Sequence, residues 1–127
     1  MEAVITGVPG IAFSLASQDK PANVQTDYTC AAHVARVVTE KAINDGLTND
    51  VVLNVNIPYL SIDALKGYMI TRQGLRVYRD ALDVRSDPRG KPYYWIGGEA
   101  PTGVDEPGTD FGAIKAGYVS KIGRAHV

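Results

Sequence analysis

The sequence predicts an α/β layered fold with a parallel sheet and a projecting β-hairpin arm. A helical segment followed by a short apolar strand occurs twice between residues 1 and 58, which is typical of α/β layers. Residues 75–96 contain two strand-like segments around the turn sequence Asp87-Pro88-Arg89-Gly90, which predicts the arm. The chain has 127 residues, so we expect one domain with a core of useful size.

The first helix and strand lie near the amino terminus. Met1 to Ile5 resembles the end of a helix, and a turn containing Gly and Pro follows it. Residues 11–15 are an apolar run of the kind found in buried strands. Residues 17–25 are polar and contain Pro21, which indicates a loop.

The second helix should begin after Thr26 or Asp27 as its N-cap and end before Gly46. Cys30 lies in this segment without a CxxC or Cys/His spacing, which favours a small core residue over a nucleophile. His33 is expected to be a solvated helix residue, because no metal partner stands at i+4. The expected apolar stripe of the helix consists of Tyr28, Ala31, Ala32, Ala35, Val38 and Ala42.

The second strand alternates, which separates its side chains onto two faces. Leu53, Val55 and Ile57 share one face, whereas Asn54 and Asn56 share the other. Open α/β sheets bind ligands beyond the carboxyl ends of their strands, so the two asparagines are candidates for a site. Hydrogen bonds from these amides to neighbouring loop backbone are at least as common.

The arm carries both aromatic and basic side chains. Tyr93 and Trp95 should point to one face of the return strand and Tyr94 and Ile96 to the other. Apolar side chains on both faces of a projecting hairpin indicate burial against another subunit. A basic, aromatic hairpin would also suit nucleic acid, but interleaved aspartates and the net charge of -1 favour a salt-bridged interface.

After the arm, residues 97–108 are rich in Gly and Pro and predict a loop. Its acidic residues lack the spacing of a calcium loop, so solvated carboxylates are expected. A short helix capped by Thr109 or Asp110 should follow, and then a strand from Gly117. No catalytic constellation emerges from these residue types and spacings alone.

Several segments together resemble the survival protein SurE family of metal-dependent 5'-nucleotidases. They occur in the same order as in the family over nearly all of residues 1–120. Any one segment is a weak signal, but the whole set in this order is specific for the family. The segments are residues 7–14 (GVPGIAFS), 53–58 (LNVNIP), 71–74 (TRQG), 87–90 (DPRG), 94–97 (YWIG), 109–111 (TDF) and 117–120 (GYVS).

The resemblance implies a SurE-like, Rossmann-like three-layer domain. Residues 1–120 would be the C-terminal part of this single domain and would lack its first strands, with the arm at about residues 75–96. Residues 121–127 are identical to the translation of AAGATCGGAAGAGCACACGTC, which is one A followed by a common sequencing-adapter sequence. We therefore expect them to be a translated adapter tail that is not native.

For function, the resemblance implies hydrolysis of nucleoside 5'-monophosphates to nucleoside and phosphate with a divalent metal, Mg or Mn. The family's ligands are an Asp-Asp pair, a Ser and an Asn that would precede residue 1, so no catalytic or metal residue is assigned in this chain. This chain is accordingly expected to be inactive, because the reaction would lose its main electrostatic contribution. Ser14, Asn54 and Asn56 are candidates for lining the site.

The resemblance also implies subunit exchange through the hairpin, giving a homodimer or homotetramer. The residues assigned to this oligomerisation arm are Arg72, Arg76, Tyr78, Tyr93, Tyr94 and Trp95. The alternative is a non-catalytic oligomerisation or binding module that acts through the hairpin. No nucleic-acid or membrane partner is expected, since no apolar run approaches the length of a membrane span. The single cysteine fits a cytoplasmic location.

Overall fold

A mixed sheet with helices on its two faces forms the body of the protein. The computed structural model describes residues 2–16, 23–77, 80–98 and 102–125. The helices are α1 (Glu2–Ile5), α2 (Thr29–Asp45) and α3 (Asp110–Lys115), with a 3-10 turn at Ile62–Ala64. The strands are β1 (Gly10–Ala16), β2 (Val51–Pro58), β3 (Tyr68–Ile70), β4 (Arg76–Val77), β5 (Asp80–Ser86), β6 (Pro92–Gly98), β7 (Thr102–Gly103) and β8 (Val119–Ala125).

The central sheet has the strand order β1-β2-β8-β3. β1 and β2 are parallel, as the repeated order of helix and strand predicts, and β3 is parallel to β8. β8 runs antiparallel to β2, so the sheet is mixed and the expectation of a parallel sheet is only partly correct. β8 extends through Lys121 to Ala125, where Ala125 pairs with Val51. The adapter origin of residues 121–127 stays a prediction.

β1 is an edge strand rather than the buried strand that its apolar sequence suggests. Among the described residues it pairs with β2 alone. Ala12, Phe13 and Ser14 in its middle are exposed, and Phe13 retains 39% of its accessible surface. The prediction of burial is wrong because an apolar run does not show whether a strand lies in the centre of a sheet or at its edge.

α2 covers one face of the sheet. Its buried residues Cys30, Val34 and Val38 pack with Val55 and Ile57 of β2, which confirms the predicted core face of that strand and the core role of Cys30. The predicted helix stripe is only partly correct. Tyr28 and Ala32 are exposed, because the buried stripe is centred on Val34.

The start of α2 also differs from the prediction. Tyr28 is the N-cap residue, and its side chain makes no capping hydrogen bond. Asp27, the residue before the N-cap, stabilises the first turn of the helix. Its Oδ1 accepts hydrogen bonds from the Thr29 backbone N–H at 2.9 Å and from the Thr29 hydroxyl at 2.6 Å. Gly46, with φ of 80°, ends the helix as expected.

α3 packs against β2 and β8 and completes the third layer. Its predicted cap is confirmed, because the Thr109 hydroxyl accepts from the Gly112 N–H at 3.2 Å. Beside it, the buried hydroxyls of Thr71 and Ser120 lie 2.7 Å apart and form a hydrogen bond between β8 and the segment after β3. None of the described helices has the length and apolar content needed to cross a membrane.

The predicted hairpin is confirmed as β5 and β6, which pair antiparallel from Asp80↔Gly98 to Ser86↔Pro92. The turn is closed by the Gly90 N–H donating to the Asp87 carbonyl oxygen at 2.9 Å. The predicted loop at 97–108 is partly wrong, because β6 continues to Gly98 and β7 lies within it. A two-residue strand is too short for hydrophobic periodicity to indicate.

Candidate functional site

A cavity of about 580 Å³ opens beyond the carboxyl ends of β1 and β2. These two strands are parallel and in register, with Ser14 opposite Asn56 and Ala16 opposite Pro58, so both deliver their last residues to the same edge. The position is the one where open α/β sheets usually bind ligands. The cavity is lined by Ser14, Leu15, Ala16, Asn56, Pro58, Tyr59, Leu60, Arg76, Gly103, Asp105, Asp110, Phe111, Ile114, Lys115 and Gly117.

The structure brings together two of the three residues predicted to line a site. Ser14 and Asn56 are neighbours across the β1–β2 pair and both border the cavity. Asn54 lies two residues earlier on β2, opposite Ala12, and does not border it. The alternation of β2 correctly placed both asparagines on the face opposite the core, but only the later one reaches the strand end.

Asn56 has an unusual polar environment. Its amide Nδ2 is buried and finds no acceptor among the described residues. A buried donor without a partner costs about 1–3 kcal/mol, so natural proteins retain such groups mainly where they have a role. Asn56 therefore presents donor capacity next to the cavity that the fold itself does not use.

The cavity wall opposite the strands comes from α3 and the loop before it. Asp110 Oδ1 accepts from the Gly74 N–H at 2.8 Å and from the Phe111 N–H at 3.0 Å, so this oxygen is already occupied by backbone donors. Asp105 pairs with the ammonium group of Lys115. Both carboxylates of the lining thus have partners within the chain.

The α3 side of the cavity is not predicted by the sequence patterns. The acidic residues of the loop at 97–108 were expected to be solvated, and Asp105 is exposed in its ion pair with Lys115; Asp110, just beyond the loop, is half-buried and accepts from the Gly74 N–H. Phe111 was noted only within the family segment TDF at residues 109–111 and was given no role in a site. The available signal was the pair of glycines at Gly74 and Gly103, since an added Cβ at either would meet the Phe111 ring, at 3.1 Å and 2.0 Å.

The residues assigned to the oligomerisation arm separate into two groups. Arg72 and Arg76 precede the hairpin: Arg72 Nη2 donates to Glu106 Oε1 at 2.7 Å, and Arg76 borders the cavity. Tyr93, Tyr94 and Trp95 lie on β6, are exposed and do not border the cavity. Tyr78 lies outside the described residues.

The described residues do not fit a divalent cation site. Within residues 2–16, 23–77, 80–98 and 102–125, no three side chains of His, Cys, Asp or Glu come together in a group that would hold a metal. In the part of the chain that the structure describes, the groups with shifted pKa values lie outside the cavity: burial raises the pKa of the Cys30 thiol and of the Tyr68 phenol, and hydrogen bonds lower the pKa of Asp27 and raise that of Arg36. We therefore derive no chemical step from a metal held by these residues.

Comparison with known proteins identifies the family. The family model described as "Survival protein SurE" matches residues 1–80. The chain belongs to the SurE family. The 5'-nucleotidases SurE of Herpetosiphon aurantiacus and Chloroflexus aggregans are each 44% identical to it over 120 residues. In both cases the match covers 94% of this chain and 46% of the relative, so the chain spans about half the length of these SurE proteins.

A solved SurE structure confirms the fold. The crystal structure of SurE protein from Aquifex aeolicus superposes with a TM-score of 0.69 at 35% sequence identity, covering 96% of this chain and 47% of that chain. The predicted SurE-like α/β class is therefore correct. The motifs that carried the resemblance in the sequence, including GVPGIAFS at residues 7–14 and LNVNIP at 53–58, form β1 and β2, the two strands that end at the cavity.

Proposed function

We propose that this chain forms one wall of the substrate site of a SurE-type phosphatase, which hydrolyses nucleoside 5'-monophosphates to nucleoside and phosphate with a divalent metal. The observation that supports this most strongly is the cavity at the ends of β1 and β2, because family motifs supply Ser14 and Asn56 to its lining. The printed names of the relatives, 5'-nucleotidase SurE, supply the reaction class. The lone Cys30 agrees with the cytoplasmic location that we include in the proposal.

The residues of this chain supply binding rather than hydrolysis in this proposal. A bound cation would neutralise the phosphoryl oxygens and activate water. The SurE ligand set expected from the resemblance contains an adjacent Asp-Asp pair, and no such pair occurs among residues 1–127. We therefore propose that these 127 residues bind the substrate and do not cleave it.

Nuclear magnetic resonance of the uniformly labelled chain tests the binding role. Titration with adenosine 5'-monophosphate should shift the amide resonances of Ser14, Asn56 and Phe111, which surround the cavity. The resonances of Val84 and Tyr94 on the hairpin serve as internal controls and should stay unchanged. Chemical-shift changes confined to the hairpin, or no saturable changes at all, would contradict the proposed binding role.

A second proposal concerns the hairpin and rests on its exposed apolar surface. Leu82 and Val84 of β5 and Tyr94 of β6 share one face, since Val84 pairs with Tyr94 across the strands. Trp95, on the other face, retains 61% of its surface, and Tyr94 retains 61% as well. We propose that a second copy of the chain covers these faces in a homodimer or homotetramer, as expected from the sequence. Assembly without catalysis remains the alternative function.

Sedimentation velocity with charged variants tests the assembly. Leu82→Asp places a charge in the proposed interface and should convert the oligomer to monomer. Ile43→Asp is the matched control, because Ile43 is 75% exposed on α2 and is not part of the hairpin. A wild-type chain that sediments as a folded monomer would contradict the proposal.

A further inference from the structure

Arg76 lies where the hairpin arm joins the body of the protein. It is on β4, which pairs with β7 through Arg76↔Gly103 and Val77↔Thr102. Its side chain borders the same cavity as Ser14 and Asn56. Its guanidinium carbon lies 5.9 Å from the centroid of the Phe111 ring, within the range of a cation–π contact. A residue assigned to the arm from sequence is thus part of the cavity wall.

Two cations, Arg76 and Lys115, line the cavity among the described residues, and of these Lys115 has a carboxylate partner. Of the two lining carboxylates, Asp110 accepts from two backbone N–H groups and Asp105 is paired with Lys115. Among the described residues, no carboxylate lies within salt-bridge distance of Arg76. A guanidinium carries five N–H donors in a planar fork that matches the oxygens of a phosphate group.

The base of the arm is held firmly against the site. The Val104 N–H donates to the Leu75 carbonyl oxygen at 3.0 Å, extending the β4–β7 pairing by one bond. The Phe111 ring lies so close to Gly103 that a side chain at position 103 would clash with it, so this contact requires glycine. The backbone that carries Arg76 is therefore held by hydrogen bonds to β7 and Val104, which lowers the entropy cost of using this side chain to bind a ligand.

From this geometry we infer that Arg76 binds the phosphate group of the substrate. The base of the arm, β4 with its partner β7, then forms part of the nucleotide-binding site. The inference rests on the proposed function and deepens it by naming a residue that recognises the phosphate monoester. The buried Nδ2 of Asn56 supplies further donor capacity on the opposite wall. Because any phosphate monoester or inorganic phosphate carries the same oxygens, the nucleoside portion is not part of this recognition.

Isothermal titration calorimetry on the full 127-residue chain tests the inference with three probes: inorganic phosphate, adenosine 5'-monophosphate and adenosine. Arg76→Ala should weaken binding of both phosphate-containing probes by about 10- to 100-fold, the range expected for lost charge-assisted hydrogen bonds. Arg76→Lys keeps the charge but loses the fork, and it should give an intermediate loss. Binding of adenosine should not change.

Arg85→Ala is the matched control, because Arg85 lies on the hairpin in a salt bridge with Asp83 and does not border the cavity. It should leave all three affinities unchanged. Equal affinities for the phosphate-containing probes in wild type and Arg76→Ala would overturn the inference about Arg76 while leaving the proposed function in place. If wild type binds neither phosphate-containing probe, both proposals fail. The circular dichroism spectra of Arg76→Ala and Arg76→Lys should match that of wild type, which shows that the affinities are compared on folded protein.

Discussion

The contact between Gly103 and Phe111 offers the sharpest test of how the arm is joined to the site. An added Cβ at Gly103 would lie 2.0 to 2.2 Å from three atoms of the Phe111 ring, whereas ordinary contacts begin near 3.4 Å. In Gly103→Ala the ring must move by roughly 1 Å or more, and overpacking of this kind costs about 1–3 kcal/mol. We expect the free energy of unfolding to fall by about 2 kcal/mol.

Gly97→Ala provides the matched control for this substitution. Gly97 is also a strand glycine, and an added Cβ there would have no heavy atom within 4 Å. Neither glycine has a positive φ, so the two variants differ in steric contact and not in backbone strain. Urea unfolding followed by circular dichroism should show Gly97→Ala within about 0.5 kcal/mol of wild type.

A double variant at Gly103 and Phe111 separates the steric clash with the ring from any other effect of alanine at position 103. Phe111→Ala removes the ring, so adding Gly103→Ala to it should cost much less than Gly103→Ala costs in wild type. The expected coupling is about 0.5–3 kcal/mol. The reasoning would be refuted if Gly103→Ala were as stable as Gly97→Ala, or if the two changes at Gly103 and Phe111 were simply additive.

Two further predictions concern stability. Thr71→Val leaves the buried Ser120 hydroxyl without its partner and should lower the free energy of unfolding by about 1–3 kcal/mol. The double variant Thr71→Val, Ser120→Ala should lose less stability than the sum of the two single variants, and additive losses in urea unfolding would contradict this. Hydrogen bonds from Thr29 lower the pKa of the Asp27 carboxyl, so its contribution is present above the ordinary value of 3.8 and is lost as the pH falls through the lower folded-state value. Asp27→Asn should therefore be less stable than wild type at pH 7, and this difference should shrink on acidification; a difference that grows in acid would refute the assignment.

The layers and the arm were predictable because they depend on local patterns. The alternation from Leu53 to Ile57 showed which face of β2 meets the core, and the turn residues from Asp87 to Gly90 located the hairpin. Strand alternation and the family resemblance made Ser14, Asn54 and Asn56 candidates for lining a site, and of these Ser14 and Asn56 border the cavity. Local patterns did not show that β1 lies at the sheet edge or that β8 is antiparallel to β2, since both depend on strand order.

The rest of the site was not predictable from local sequence because it depends on distant contacts. Arg76 reaches the cavity only because β4 pairs with β7, a two-residue strand inside a segment rich in Gly and Pro. Phe111 packs there because Gly103 and Gly74 leave room for its ring. The contacts of Arg76 with Gly103 and of Gly74 with Phe111 join residues about 30 positions apart, whereas Gly103 and Phe111 belong to different elements, and no periodicity within any of these segments records the contacts.

We propose that these 127 residues bind the nucleotide but do not hydrolyse it. The most direct measurement is phosphate release from adenosine 5'-monophosphate by the purified chain in the presence of Mn²⁺. We expect no release above the rate in buffer. Release that depends on Mn²⁺ and is lost in Arg76→Ala would contradict the claim, because it would show that the cavity described here carries out the reaction itself.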